Sequence, residues 1–265
     1  MNSPFAIRRL PQDREQPPLW SQGEGIRWRV AYARAAESQK HNEVGQDVVA
    51  LGPAPRRLSF ALADGVSQSF FGDLAATALG ERLARWCLKR KPAEAIDDLR
   101  PQLELELENL RSEVAEDVRL FPLPSGLPPM LREVLEQKRL LGSESMFVAG
   151  SFWAPGQELP EGRLLLCWLG DMRCRWWSSG GEQPVPGRFH TADRWSSQRG
   201  CLGVPQLYLG PAPRTLLVYS DGLACLDALA QPPESDQLEG AMASSLSSPT
   251  SDDISYLEIS TSEEF

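Results

Sequence analysis

The stretch ALADGVSQSFFGDLAATALGERLARW, residues 61–86, decides how the rest of the chain is read. A β-type run, Leu58 to Ala63, reaches Asp64-Gly65 and crosses a short polar loop. It then becomes a helix whose residues Leu74, Ala78, Leu79, Leu83 and Trp86 recur at helical spacing. A carboxylate is thereby held at a strand end, with a glycine carbonyl beside it. Taken alone, Asp-Gly is a turn signal, because glycine accepts positive φ and aspartate hydrogen-bonds its own backbone. Its wider meaning depends on its neighbours.

Upstream, Asp47 opens the run Asp47 to Leu51, and the turn Gly52 to Arg57 sends the chain back antiparallel as Leu58 to Ala63. Asp47 and Asp64 therefore share one sheet edge. Gly25 to Arg34 reads as another half-buried strand. Residues 1–24, polar and interrupted by Pro4, Pro11, Pro17 and Pro18, read as a flexible lead-in, and residues 261–265 as a tail, leaving one domain over 25–260. Downstream, a second helix runs from near Pro92 through Val114, with Pro101 splitting it or opening a new first turn. A third spans about Met130 to Leu141, and these two antiparallel helices are expected to cover one sheet. Strands return at Ser145 to Trp153, Arg163 to Leu169 and Arg173 to Trp177; Ser178 to Pro186 reads as a loop, and Arg188 to Leu202 has no decisive period. Leu216 to Tyr219 ends in Ser220-Asp221-Gly222, repeating the strand-then-Asp-Gly design, and a last strand within Ser251 to Ser260 is preceded by carboxylates. The pattern predicts an α+β domain of two sheets flanked by helices.

Composition narrows the chemistry. The 27 basic and 36 acidic residues give a net charge of -9, which disfavours a nucleic-acid partner because no bulk basic surface is present to release counterions. No apolar run reaches spanning length and no N-terminal apolar leader appears, so neither a membrane helix nor export is expected. The five cysteines form no CxxC pair or secreted framework, which predicts reduced thiols and a cytoplasmic setting. With only His41 and His190, any metal must be held by oxygen.

Four carboxylates follow one grammar: Asp47 begins a strand, Asp64 and Asp221 each end one, and Asp252 or Asp253 precedes one. Rigid strand ends suit ligands to hard cations such as Mg2+ or Mn2+. Two such ions bridged by a carboxylate can activate water and clamp a phosphate ester.

On these residues the chain resembles the protein phosphatase 2C family of metal-dependent serine/threonine phosphatases, in a divergent bacterial form. The resemblance runs in order through Gly45-Gln46-Asp47, Ala63-Asp64-Gly65, Gly72 to Ala76, Gly150-Ser151, Leu169 to Arg173, Cys201 to Gly203, Ser220 to Leu223 and Asp252 to Ser255, covering about Gly25 to Ile259. It implies a four-layer α-β-β-α sandwich of two antiparallel sheets with helices on both outer faces, and a binuclear Mg2+/Mn2+ centre. Carried over by position, Asp64 bridges the two ions and Gly65 offers its carbonyl. Asp221 and Asp252 bind the other ion, Asp47 ligates or orients water, and Asp171 helps hold a third, weaker ion. The implied reaction is hydrolysis of phosphoserine or phosphothreonine in proteins by metal-activated water, in bacterial signalling, opposite a partner serine/threonine kinase.

The departures are as specific as the matches. The family's phosphate-gripping Arg has no counterpart in Ser38 to Asn42, where Lys40 or His41 are the candidates to meet phosphate. The loop Val66 to Phe71 lacks the family's frequent histidine, and Asp253 stands where an amide is usual. These departures support an alternative, a catalytically weakened phosphatase-like regulatory or partner-binding domain. A small-molecule phosphoesterase would use the same ligands.

Overall fold

A computed structural model describes residues 6–248 and 250–262. Two antiparallel sheets are built from strands whose residues alternate between two buried faces. The first sheet contains β1 (Arg8–Arg9), β4 (Val48–Ala54), β5 (Arg57–Gly65), β6 (Glu144–Trp153), β7 (Arg163–Leu169), β10 (Arg194–Ser196), β11 (Gly200–Leu202) and β12 (Gln206–Gly210). The second runs β2 (Gln16–Gly23), β3 (Ile26–Ala33), β14 (Ile254–Thr261), β13 (Thr215–Tyr219), β8 (Arg173–Ser178) and β9 (Gly181–Gln183). Helices lie outside both, which makes the expected α+β sandwich of four layers.

Period-two alternation explains the layering. In β5, Leu58, Phe60 and Leu62 enter the core between the sheets, while Ala61 and Ala63 face α2 (Gly72–Leu88). Small residues on that outer face, including Ala50 and Ala149, let α2 come close. A Cβ on Gly80 of α2 would meet Val48 Cγ1 at 2.7 Å. α3 (Ile96–Leu120) packs on α2 through the stripe Leu99, Leu103, Leu107, Leu110, Val114 and Val118. Its acidic face is solvated, as its charge pattern predicts. Pro101 neither splits α3 nor opens it; it lies within one continuous helix. On the other side, the 3₁₀ helix Asp221–Ala228 and α5 (Ser235–Leu246) pack Leu223, Leu226, Leu238 and Met242 onto Tyr219, Tyr256 and Leu217 of the second sheet.

Several expectations are corrected. Within the segment read as a flexible lead-in, β1 pairs with β4 and β2 with β3 along the sheet edges, while residues 1–5 and most of the 261–265 tail lie outside the described residues. Pro17 and Pro18 are accommodated because β2 is an edge strand beside a register shift. α4 (Pro129–Leu141) buries no residue fully, so it does not cover the sheet as α3 does. Between β3 and β4 stands the short helix α1 (Ala36–His41). No helix among the described residues is long and apolar enough to cross a membrane.

Candidate active site

Strand register gathers the predicted aspartates at one end of the sandwich. β4 pairs Val48 with Ala63, so Asp47, one residue earlier, comes beside Asp64 near the end of β5. β6 places Phe147 between Ala63 and Leu169, which brings the turn after β7, Gly170-Asp171, to the same end. From the second sheet, β13 ends at Tyr219 opposite Tyr256 of β14. Asp221, opening the 3₁₀ helix, and Asp252, two residues before β14, therefore approach from across the sandwich.

Burial raises Asp47, Asp64, Asp221 and Asp252, and neighbouring carboxylates add to it. Burial pushes Asp64 well above the usual carboxylate range, and Asp221, Asp252, Asp171 and Asp253 add to it. Asp47 is 2% exposed; burial raises it first, then Asp64 and Asp253. Its Oδ2 is buried without a hydrogen-bond partner, as is the Ser255 hydroxyl. Asp221 and Asp252 reach solvent, yet the protein around them desolvates both and raises both. Among neighbouring cations, Arg173 opposes the shift at Asp221.

The structure separates the two adjacent carboxylates that the sequence left open. Asp253 is buried, and its Oδ1 accepts from the Ala35 amide at 2.6 Å while its Oδ2 accepts from the Gln46 amide. It ties the start of α1 and the approach to Asp47 onto β14. Asp252 Oδ1 accepts from the Asp253 amide at 3.0 Å, and its Oδ2 has no hydrogen bond among the described residues. The extra negative charge of Asp253 is thus engaged by backbone donors, which pull its carboxyl down against the burial that raises it.

The Val66 to Phe71 loop is held at several points. Val66 N donates to Glu144 O at 2.9 Å, Phe70 N to Gly142 O at 3.0 Å, and Ser143 Oγ to Phe71 O at 2.8 Å. Phe70 is fully buried and meets Phe71 edge-on at 4.8 Å, with Phe121 at 6.1 Å and the Arg139 guanidinium 5.0 Å from its ring. Only the tip, Ser67-Gln68, is fully exposed. Gly65 and Gly72 close the loop: a Cβ on Gly65 would stand 2.6 Å from the Gly72 carbonyl carbon.

The expected phosphate contacts lie on α1. Lys40 and His41 occupy its exposed last turn, and neither side chain makes a hydrogen bond or ion pair among the described residues. Arg34 is unavailable because Glu15 and the Glu43 carbonyl occupy it. Sequence reasoning assigned no role to Arg173, although it stands two residues after Asp171 at a strand start. Its Nη1 donates to Asp171 O at 2.7 Å.

The ring suits a hard divalent ion in donor chemistry, since it offers carboxylate oxygens and one buried oxygen, Asp47 Oδ2, that lacks any partner. Among the described residues, no three His, Cys, Asp or Glu side chains converge into a ready ligand group.

No sequence-family model and no curated protein matches the chain. Solved structures do. The serine/threonine phosphatase Stp1 from Staphylococcus aureus is 12% identical with a TM-score of 0.59, covering 92% of this chain and 98% of its own. The catalytic domain of the phosphatase PstP, in complex with two manganese ions, is 18% identical with a TM-score of 0.55, covering 90% and 99%. RsbX in complex with magnesium is 14% identical with a TM-score of 0.54, covering 92% and 100%. The chain has the fold of the bacterial protein phosphatase 2C-type serine/threonine phosphatases.

Proposed function

We propose that the chain hydrolyses phosphoserine or phosphothreonine in proteins and depends on divalent metal. The observation that carries this reading is the set of aspartates that strand register gathers at one sandwich end, with Asp47 Oδ2 buried and without a hydrogen-bond partner among the described residues. Like charges brought together out of water favour a bound cation. Asp64, Asp221, Asp252 and Asp47, with the Gly65 carbonyl, are the residues we assign to two Mg2+ or Mn2+ ions, and Asp171 to a third, weaker one. Such ions, when bound, lower the pKa of a water and neutralise charge on the phosphoryl group. The chain's own contribution is positional: β4 and β5 fix Asp47 against Asp64, Asp253 anchors the connection before Asp47, and the Gly65–Gly72 contact fixes the loop. Lys40 and His41 are the candidates on the α1 side for meeting phosphate. The metal-bearing relatives support the cofactor assignment. Cytosolic signalling opposite a partner kinase fits this substrate class.

The alternative, a phosphatase-like domain with weakened turnover, is favoured by the loop Val66 to Phe71, which contains no histidine and is packed through Phe70. Turnover of aryl phosphates and phosphopeptides by the full chain with Mn2+ decides between them. Asp64→Asn should abolish it, by ~100-fold or more. An inactive wild type that still binds Mn2+ selects the alternative, and activity unchanged in Asp64→Asn overturns both assignments at Asp64.

A further inference from the structure

We propose that Arg173 grips the substrate's phosphate, filling the role for which the sequence before Asp47 has no arginine. This inference rests on the phosphatase reading above. Arg173 begins β8 and lines a cavity of about 370 Å³ together with Asp171, Arg175, Phe189 and Thr191. The cavity therefore adjoins the aspartate ring through Asp171. Phe189 is fixed as its aromatic wall by stacking on Trp168 at 5.2 Å.

The two cations in this cavity differ in what they have left to offer. Arg175 is fully engaged: Nε and Nη2 each reach Glu182 at 2.7 Å, Nη1 donates to Leu226 O at 2.7 Å, and Nη2 also donates to Leu229 O. Arg173 is held from behind only. Its Nη1 donates to Asp171 O at 2.7 Å and its Nε to Asp227 Oδ2 at 3.4 Å, while Nη2 makes no hydrogen bond among the described residues. Asp227 is itself oriented by the Tyr219 hydroxyl at 2.7 Å. A guanidinium restrained at two nitrogens with its third uncommitted is preorganised for an anion, and its planar fork suits phosphate better than an ammonium does. Lys40 and His41, by contrast, project from the last turn of α1 with no side-chain hydrogen bond or ion pair among the described residues.

The test is calorimetric titration of inorganic phosphate into the Mg2+-loaded full chain. Wild type, Arg173→Gln, Arg173→Lys and the Lys40→Gln/His41→Gln double variant are compared, with a separate Mg2+ titration of each. Losing a charge-assisted bond to phosphate should weaken phosphate binding roughly 10- to 100-fold in Arg173→Gln and raise KM for a phosphopeptide by a similar factor. Mg2+ affinity should stay within about threefold, and Arg173→Lys should recover part of the loss. Unchanged phosphate affinity in Arg173→Gln overturns the proposal, as does a loss confined to the Lys40/His41 variant. A parallel fall in Mg2+ affinity also overturns it, because Arg173 would then act only by holding Asp171. If Arg173→Gln does not fold, Arg173→Lys decides, since losing the fork should still weaken phosphate by at least roughly threefold. Phosphate binding that needs Arg173 in a chain without turnover would refute the hydrolytic reading and leave this one standing. Failure of the wild type to bind phosphate refutes both.

Discussion

Replacing Gly65 or Gly72 with alanine addresses the contact that fixes the site. A Cβ on Gly65 would lie 2.6 Å from the Gly72 carbonyl carbon, 2.7 Å from its oxygen and 2.9 Å from the Gln46 carbonyl oxygen. One on Gly72 would lie 2.7 Å from the Gly65 carbonyl carbon and 2.8 Å from Val66 N. All of these are backbone atoms, so no rotamer change relieves them, and restoring carbon contacts of about 3.5 Å requires the end of β5 and the start of α2 to part by most of an ångström. Overpacking of this kind costs about 1–3 kcal/mol, and each kcal/mol lowers Tm by roughly 2–4 °C in a domain of this size. Either alanine should therefore lower Tm by about 2–12 °C. Gly65→Ala should also shrink the Tm increase produced by Mg2+, because the displaced carbonyl belongs to the assigned ligand set. Gly240→Ala, in α5, is the control of opposite sign: nothing lies within 4 Å of its Cβ, and alanine in a helix should raise stability by about 0.5–1 kcal/mol. Thermal unfolding followed by circular dichroism, with EDTA and with millimolar Mg2+, reads all three. Gly65→Ala and Gly72→Ala melting at or above the wild type would refute the reasoning, as would a fall in Gly240→Ala equal to theirs.

Asp253→Asn should destabilise the fold by about 1–3 kcal/mol, since its amide would set donors against the Ala35 or Gln46 N–H, while Asp252→Asn should change metal-free stability far less; denaturant unfolding separates them. Without divalent ions, Asp47, Asp64, Asp221, Asp252 and Asp253 all titrate above the ordinary 3.8, so each opposes folding once ionised and stops doing so when protonated. Tm in EDTA should therefore rise as pH falls from 8 to 5, because Glu15, held below 4.5 by Arg34, withdraws its own stabilisation only at lower pH; a flat or falling Tm contradicts this. Phe70→Ala should cost about 3–5 kcal/mol from lost burial and packing against Phe71 and Phe121, read by chemical denaturation, whereas a cost below about 1 kcal/mol would mean that the loop is held by its hydrogen bonds alone.

The strands that carry the aspartates were legible because each is a buried apolar run ending in a turn residue, and a short turn between two such runs fixes their pairing. That is why the Asp47–Asp64 neighbourhood follows from Val48↔Ala63. The strands β9, β10 and β11 were not legible: each is three residues long, and Trp195 is buried by α3 and β6 through contacts distant in sequence. α1 has six residues and buries none of them, so it leaves no apolar period to read. β2 hides behind two prolines on an edge. α4 misled in the opposite way: its sequence is as helical as α3, but Met130 and Leu140 remain 79% and 72% exposed, and no sequence period states which face meets a neighbour.

Two of the departures that suggested weakened activity change meaning once side chains are placed. Asp253 is committed as a structural acceptor, because two backbone amides occupy its oxygens, and its charge, which adds to the upward shift of Asp47, Asp64 and Asp252, does not count against cation binding. The missing arginine before Asp47 loses weight when Arg173 stands beside Asp171 with a nitrogen uncommitted. The loop is different in kind. Its residues bond to Gly142, Ser143 and Glu144 and bury Phe70, and the histidines of the chain, His41 and His190, both lie outside it. The geometry therefore divides the reaction into parts: cation and phosphate binding have candidate residues in place, whereas protonation of the leaving alcohol has no side chain in this loop suited to it. If the chain hydrolyses phosphoproteins as proposed, a reduced rate with intact cation and phosphate binding is the outcome expected of a loop without a proton donor.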